Sequence, residues 1–301
     1  MIDIYGFFYV DDAPERSLNF RESTESERLS VYLKNAGLLT NSLLFHGIKF
    51  TLLTNNKDRI AAIARSAQVE IDIRQVPIAL QVPSGTRFRS AHFKIDALRY
   101  FATRDSRYSV LLDIDVVCLR PIPEELLLNA KLKRPMLFDI SYAERQAFGG
   151  ERLRRDLELI SMQKGEGRWY GGEFIAGPSC FFQDLVCRIE SMFERYIEVI
   201  PKLHHVGDEA IVSAAISAMH LDGLVFSEAG SVGVIERYWN ARTLHCQASF
   251  EAFEGSFLLH LPADKAFLAA SCMNPFPGGV KFLDSYKRER RLYRRLLRKL
   301  R

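Results

Sequence analysis

No run in the 301 residues approaches the roughly 20 uninterrupted apolar positions that a bilayer-spanning helix requires, so the sequence offers no membrane span. The five cysteines, Cys118, Cys180, Cys187, Cys246 and Cys272, are odd in number, scattered and without a Cys-x-x-Cys pair. That spacing speaks against a disulfide framework and against zinc, and for buried thiols in a reducing compartment. Met1-Ile-Asp-Ile-Tyr opens on a strand-like pattern rather than a basic signal region, so no leader is expected and the expected location is the cytoplasm. Internal repeats are missing, and the one biased tract is the basic end of the chain. No platform of interleaved aromatic and basic residues is present, which removes nucleic acid as an expected partner.

What the chain does have is core material, with 48% hydrophobic residues and 21 Phe, enough for one large α/β domain. Its net charge of +4 conceals an asymmetry. From Lys287 to Arg301 there are nine Lys or Arg against Glu289 alone, which leaves a body of about −4. In this stretch Tyr286, Leu292, Tyr293, Leu296, Leu297 and Leu300 fall at helical spacings, so a basic amphipathic helix is expected over 281–301, behind a main domain at 1–280. Such a helix suits an anionic membrane surface, with the protein peripheral at the inner face, or docks on the body with its basic face solvated.

Along the body, β-like and helical patterns alternate. Strands are expected at 2–10, 48–54, 69–76 and 109–113, with helices at 57–66 and 91–103 and one carrying Leu29, Tyr32, Leu33, Ala36, Leu39 and Leu43. Farther on, helices are expected at 151–163, 184–199 and 209–220, and strands at 173–182 and 256–260. This is a βαβ series with a parallel sheet, in which ligands bind beyond the carboxyl ends of the strands. Loops are expected at 81–90 and 165–172.

At one such strand end the run Tyr108-Ser-Val-Leu-Leu-Asp113-Ile-Asp115-Val-Val delivers two carboxylates two residues apart. Residues i and i+2 of a strand share a face, so Asp113 and Asp115 are expected to converge on one hard cation, Mn²⁺ or Mg²⁺, which in turn can bind a diphosphate. An apolar strand ending in Asp-x-Asp serves two chemistries. A haloacid-dehalogenase-like phosphatase needs its Asp-x-Asp on the leading strand and a later Gly-Asp-x-x-x-Asp. Here about a hundred residues precede the motif, and Gly207-Asp208 has Val212 where the second Asp should stand. A metal-dependent sugar-nucleotide transferase has neither requirement. Asp208-Glu209 also reads as a helix N-terminus, where acidic residues are favoured without any chemistry.

Further segments follow in order: Ala91-His-Phe-Lys94-Ile-Asp96-Ala-Leu-Arg99, Gly171-Gly172-Glu173-Phe-Ile-Ala176-Gly177, Gly207-Asp208-Glu209, Trp239-Asn240 and His260-Leu-Pro-Ala-Asp-Lys265. Taken together the chain resembles the retaining GT-A glycosyltransferases of the glycogenin and lipooligosaccharide galactosyltransferase type, with blood-group-transferase-like segments around Gly172 and Asp208. The resemblance implies a GT-A, Rossmann-like α/β fold, a mostly parallel sheet flanked by helices. It implies transfer of a hexose from a nucleotide-diphosphate sugar, a UDP-sugar first, to a glycan or lipid-linked acceptor in bacterial surface polysaccharide or lipopolysaccharide synthesis. Asp113, Asp115 and His260 would be metal ligands. Tyr9 and Asp11, next to Asp12, would hold the nucleobase and ribose. Lys94, Asp96, Arg99, Gly172, Glu173, Ala176, Gly177, Trp239, Asn240 and Lys265 would line the donor, and Arg89, beside Arg87, its phosphates. Asp208 and Glu209 would act at the reacting carbon, Glu209 as candidate nucleophile. A binding scaffold without turnover would keep the fold and lose these carboxylates, all of which are present.

Overall fold

The computed structural model of the chain describes residues 2–11, 24–105, 107–240, 243–245 and 247–299, with side chains through Leu292 of the last helix. Asp12, Cys246 and Leu300 lie outside the described residues, as do the side chains of Tyr293, Leu296 and Leu297. The first half runs β1 (Ile2–Phe8), α1 (Glu25–Phe45), β2 (Phe50–Thr54), α2 (Lys57–Ser66), β3 (Asp72–Gln75), α3 (Arg89–His92), α4 (Lys94–Ala102), β4 (Tyr108–Leu112) and β5 (Val116–Cys118). Then follow α5 (Glu124–Leu132), β6 (Met136–Asp139), α6 (Ser141–Phe148), α7 (Gly150–Ser161), β7 (Tyr170–Pro178) and α8 (Ser179–Val199). The chain closes with α9 (Asp208–Leu221), β8 (Ser227–Glu228), β9 (Ile235–Arg237), β10 (Leu258–His260), α10 (Lys265–Ala270) and α11 (Gly279–Lys299).

One sheet takes the order β3-β2-β1-β4-β7-β6-β8, and a smaller one takes β5-β10-β9. The pairs β2·β3, β1·β2, β1·β4 and β6·β8 are parallel, as the alternation of elements implies. β7 runs antiparallel to both neighbours, β4 and β6. Every residue of β4 is buried, because a continuous apolar strand in a parallel sheet must be covered on both faces. Leu33 and Leu39 of α1, Leu98 and Phe101 of α4, and Leu185 and Ile189 of α8 belong to the same core as Val110 and Leu112. Local signals place the helices: Thr24 and Glu27 cap α1 reciprocally, and the Asn56 side chain accepts from the Arg59 N–H at 3.1 Å to start α2.

Two expectations need correcting. The Asp-x-Asp pair is not on a strand: β4 ends at Leu112 and β5 begins at Val116, so Asp113, Ile114 and Asp115 form the turn that carries the chain from the large sheet to the small one. The two carboxylates meet because the backbone bends there, not because they share a pleat. The strand expected at 173–182 starts earlier and stops at Pro178, after which Ser179-Cys-Phe-Phe opens α8. Phe181 and Phe182 begin a helical spacing that Leu185, Val186 and Ile189 continue against the core, and Pro178 caps the helix start with its fixed φ.

The small sheet has a core of its own, made with Leu38 of α1, Leu268 of α10, and Phe282, Leu283 and Tyr286 of α11. The Arg290 guanidinium packs over the rings of Tyr238, Phe250 and Tyr286, with its carbon 4.6, 4.7 and 5.7 Å from their centroids. Through Arg290, then, the basic helix is docked on the body by its apolar face. No helix among the described residues is long and apolar enough to cross a membrane.

Candidate active site

The turn between the sheets is pinned at both ends by backbone. The Asp113 N–H donates to the Glu173 carbonyl at 3.2 Å, and the Leu261 N–H donates to the Asp115 carbonyl at 3.1 Å. β10 pairs His260 with Val116, which brings the imidazole to the turn. Its Nε2 lies 3.1 Å from Asp115 Oδ1 and 3.9 Å from Asp113 Oδ2, while Nδ1 lies 3.2 Å from Glu173 Oε1. Asp113, Asp115 and His260 each offer one ligand atom, all within 4.8 Å of one another. Two carboxylate oxygens and an imidazole whose second nitrogen is held by another carboxylate form a donor set that fits a divalent cation.

Cationic side chains already sit on those carboxylates. Lys94 Nζ lies 2.6 Å from Asp113 Oδ1, and Lys265 Nζ bonds Asp115 Oδ2 and the Pro262 carbonyl at 2.8 Å. Burial opposes ionisation of Asp115, but Lys265 and His260 outweigh it and hold that carboxyl well below the usual range. Asp113 goes the other way: burial and the Asp115 charge raise it despite Lys94. Burial would lower His260, yet Asp115 and Glu173 lift it to about 9.

The second half of the site faces the first across Lys94, whose Nζ also reaches Asp208 Oδ2 at 3.3 Å and the Gly172 carbonyl at 3.2 Å. Asp208 and Glu209 open α9, and the loop before them is fixed by Tyr196, whose hydroxyl bonds both N–H and C=O of Gly207 at 3.1 Å and His92 Nε2 at 2.7 Å. Glu209 is gripped at both oxygens. Oε1 accepts from the Gly172 N–H at 3.1 Å and from Arg237 at 3.0 Å, and Oε2 accepts from Trp169 Nε1 at 3.4 Å with His205 at 3.7 Å. Burial raises Glu209, and the Arg237 charge more than reverses this, so it is held ionised. Gly172 lets these groups approach: a Cβ there would stand 2.8 Å from Asp208 Oδ2 and 3.2 Å from Lys94 Nζ, so both side-chain ends would have to shift.

Not every candidate from the sequence reaches this cluster. Glu173 does, fully buried and bonded through both oxygens to Arg237. Tyr9 and Asp11 reach a neighbouring wall: the Tyr9 ring lies 4.2 Å from Phe93, and Asp11 pairs with Arg89 at 3.2 Å. Arg87 lies over the Phe88 ring at 4.8 Å. Asp96 and Arg99 hold the scaffold instead. Asp96 is buried and accepts from the backbone N–H groups of Ala79 and Leu80, and Arg99 joins it to Glu190. Ala176 and Gly177 pair with Val110 and Ser109, strand positions running away from the Asp113 end of β4, and a Cβ on Gly177 would meet the Phe181 ring. Trp239 stacks on His245, and Asn240 bonds Asp264 at 3.1 Å and Arg290 at 3.3 Å.

The residue that sequence reading missed is Arg237. It ends β9 two positions before Trp239, and nothing local marks it. Only the pairing of β9 with β10 brings it against Glu173 and Glu209.

No protein-family model and no curated protein matches the chain. Solved structures do. The galactosyltransferase LgtC, solved with donor and acceptor sugar analogs, matches at TM-score 0.51 and 13% identity, over 89% of this chain and 95% of that one. The bifunctional glycosyltransferase WbbM, solved in its apo form, matches at TM-score 0.51 and 11% identity, over 94% of this chain and 51% of that one. The fold is that of the GT-A glycosyltransferases.

Proposed function

We propose that the chain is a metal-dependent glycosyltransferase that moves a hexose from a nucleotide-diphosphate sugar, a UDP-sugar first, to a glycan or lipid-linked acceptor. A retaining outcome and a role in bacterial surface polysaccharide or lipopolysaccharide synthesis complete the reading. One observation carries it: Lys94 Nζ spans the Asp113 side and the Asp208 side at 2.6 and 3.3 Å, so the carboxylates that would bind the cation and those that would face the sugar stand side by side.

Asp113, Asp115 and His260 would hold Mn²⁺ or Mg²⁺, which supplies Lewis-acid stabilisation of the charge that grows on a departing diphosphate. Lys94 and Lys265, which stand on those carboxylates, would bind phosphate oxygens of the donor. Asp208 spends one oxygen on Lys94 and is free to orient a sugar hydroxyl or face the reacting carbon. Glu209, clamped from several sides, fits a fixed anion that stabilises positive charge at that carbon better than the nucleophile expected from sequence. Tyr9, against the Phe93 ring, and Asp11, paired with Arg89, would hold the nucleoside. The exposed side of α11 would rest on an anionic membrane surface at the cytoplasmic face.

Incubation with a panel of UDP- and GDP-sugars, with and without Mn²⁺, tests the reading by release of the nucleoside diphosphate. Metal-dependent release from one donor is the expected result. Binding of a donor without release would make the chain a scaffold, and turnover of a generic phosphomonoester would make it a phosphatase.

A further inference from the structure

The segment before α3 and the segment before α9 are joined through the core by a line of polar atoms. Phe88, which precedes α3, stands at φ +54°, in the left-handed region that a bulky side chain avoids. Its carbonyl lies 3.0 Å from Nδ1 of His92, a fully buried side chain. A carbonyl only accepts, so Nδ1 carries the proton, and burial lowers the affinity of the ring for a second one. Nε2 is then a bare acceptor, and the hydroxyl of Tyr196, also fully buried, lies 2.7 Å from it. That hydroxyl has one proton, which goes to His92 in preference to the Gly207 carbonyl at 3.1 Å, while its oxygen accepts the Gly207 N–H at 3.1 Å. The three bonds therefore run one way, from Gly207 N–H through Tyr196 and His92 to the Phe88 carbonyl, and each polarises the next. The two segments also meet outside this line, where the Phe88 ring stacks on His205 with 6.4 Å between centroids and 17° between planes.

What each segment carries gives the line its use. Arg87 and Arg89 flank Phe88, and Arg89 pairs with Asp11 at 3.2 Å on the wall assigned above to the donor. Gly207 is followed directly by Asp208 and Glu209. We propose that His92 and Tyr196 are positioning residues, which hold the strained turn at Phe88 against Gly207 and so fix the separation between the arginine arm that takes the donor and the acids that face its sugar. A left-handed Phe persists only where surrounding contacts over-determine it, and the bond from His92 to its carbonyl is such a contact. The role given to the two arms rests on the transferase reading above, whereas the line of bonds between them does not.

Tyr196→Phe tests it, because the change removes the hydroxyl and leaves the ring. In hydrogen–deuterium exchange of the full chain the Gly207 amide should exchange about tenfold faster in this variant or more, with the amides of β4 unaffected. In donor hydrolysis kcat should fall about a hundredfold, the cost of roughly 1 Å of misplacement, while KM for the donor stays within about threefold. His92→Asn cuts the same line and gives the same readings should Tyr196→Phe not fold. Combined with Tyr196→Phe it should add no more than about threefold to the loss in kcat. Unchanged exchange at Gly207 would overturn the proposal, as would a raised KM with kcat preserved, or losses that multiply in the double variant. A chain that releases no nucleoside diphosphate from any donor would sink the transferase reading, and exchange at Gly207 would still decide whether His92 and Tyr196 hold the two segments together.

Discussion

The two halves of the cleft hold their carboxylates by different means. On the Asp113–Asp115 side the partners are two lysine ammonium groups and an imidazole. The two ammonium groups are point charges on flexible stems that a stronger cation can displace. On the Glu173–Glu209 side the main partner is one guanidinium that forks onto Glu173 and reaches Glu209, backed by the Gly172 N–H, the Trp169 indole and the other nitrogen of His260. A planar fork in a buried site fixes geometry and resists exchange. The difference teaches a division of labour. The Asp113–Asp115 acids are neutralised by groups that can move away, and the Glu173–Glu209 acids are locked.

The hardest test of that contrast removes the exchangeable side. Asp113→Ala or Asp115→Ala should each leave the fold intact by circular dichroism and cut metal-dependent donor hydrolysis by roughly a thousandfold or more. Retained metal-dependent turnover in either variant would break the comparison at its root.

Next comes the locked side. Arg237→Met leaves Glu173 buried and without its main cation, and should lower unfolding stability by about 3–5 kcal/mol in urea titrations. Lys265→Met should cost clearly less, since it strips one carboxylate of a cation where Arg237→Met strips both Glu173 and Glu209. Equal losses would erase the distinction between loose and tight.

A third effect is set by pH. In metal-free protein the folded pKa of His260 stands at about 9 against an ordinary 6.5. The stabilisation that its proton provides is therefore complete below pH 6.5 and is lost as pH rises through about 9. The span corresponds to something on the order of 3 kcal/mol. Urea titrations in a chelator across this window should show the decline, and His260→Gln should flatten it.

The smallest expected change is at the seam between the halves. Gly172→Ala pushes a methyl against Asp208 and Lys94 and should slow turnover about tenfold while costing about 1 kcal/mol of stability. An unaltered rate would mean that the spacing across Lys94 is slack.

Sequence periodicity read the first half of the fold well because β1 to β4 and their helices alternate with strong apolar patterns, and α2 falls at the expected 57–66. It read the second half poorly. β5, β6, β8, β9 and β10 are four residues or fewer, too short for a period of two to declare itself. Asp113 and Asp115 were legible because charged residues interrupt an apolar segment at a strand end, whereas Lys94, Asp208 and Glu209 stood out through the resemblance to glycosyltransferase segments. Asp96 looked the same in the sequence, yet its carboxyl is spent on the Ala79 and Leu80 amides. Composition and spacing thus determined an α/β chain with an acidic pair after its fourth strand and a basic terminal helix. Only the tertiary structure decided that the pair sits in a turn between two sheets, that Arg237 locks the opposing acids, and that the helix spends its apolar face on the body. Each of these depends on contacts between residues far apart in the chain, and such contacts are set by packing rather than by local pattern.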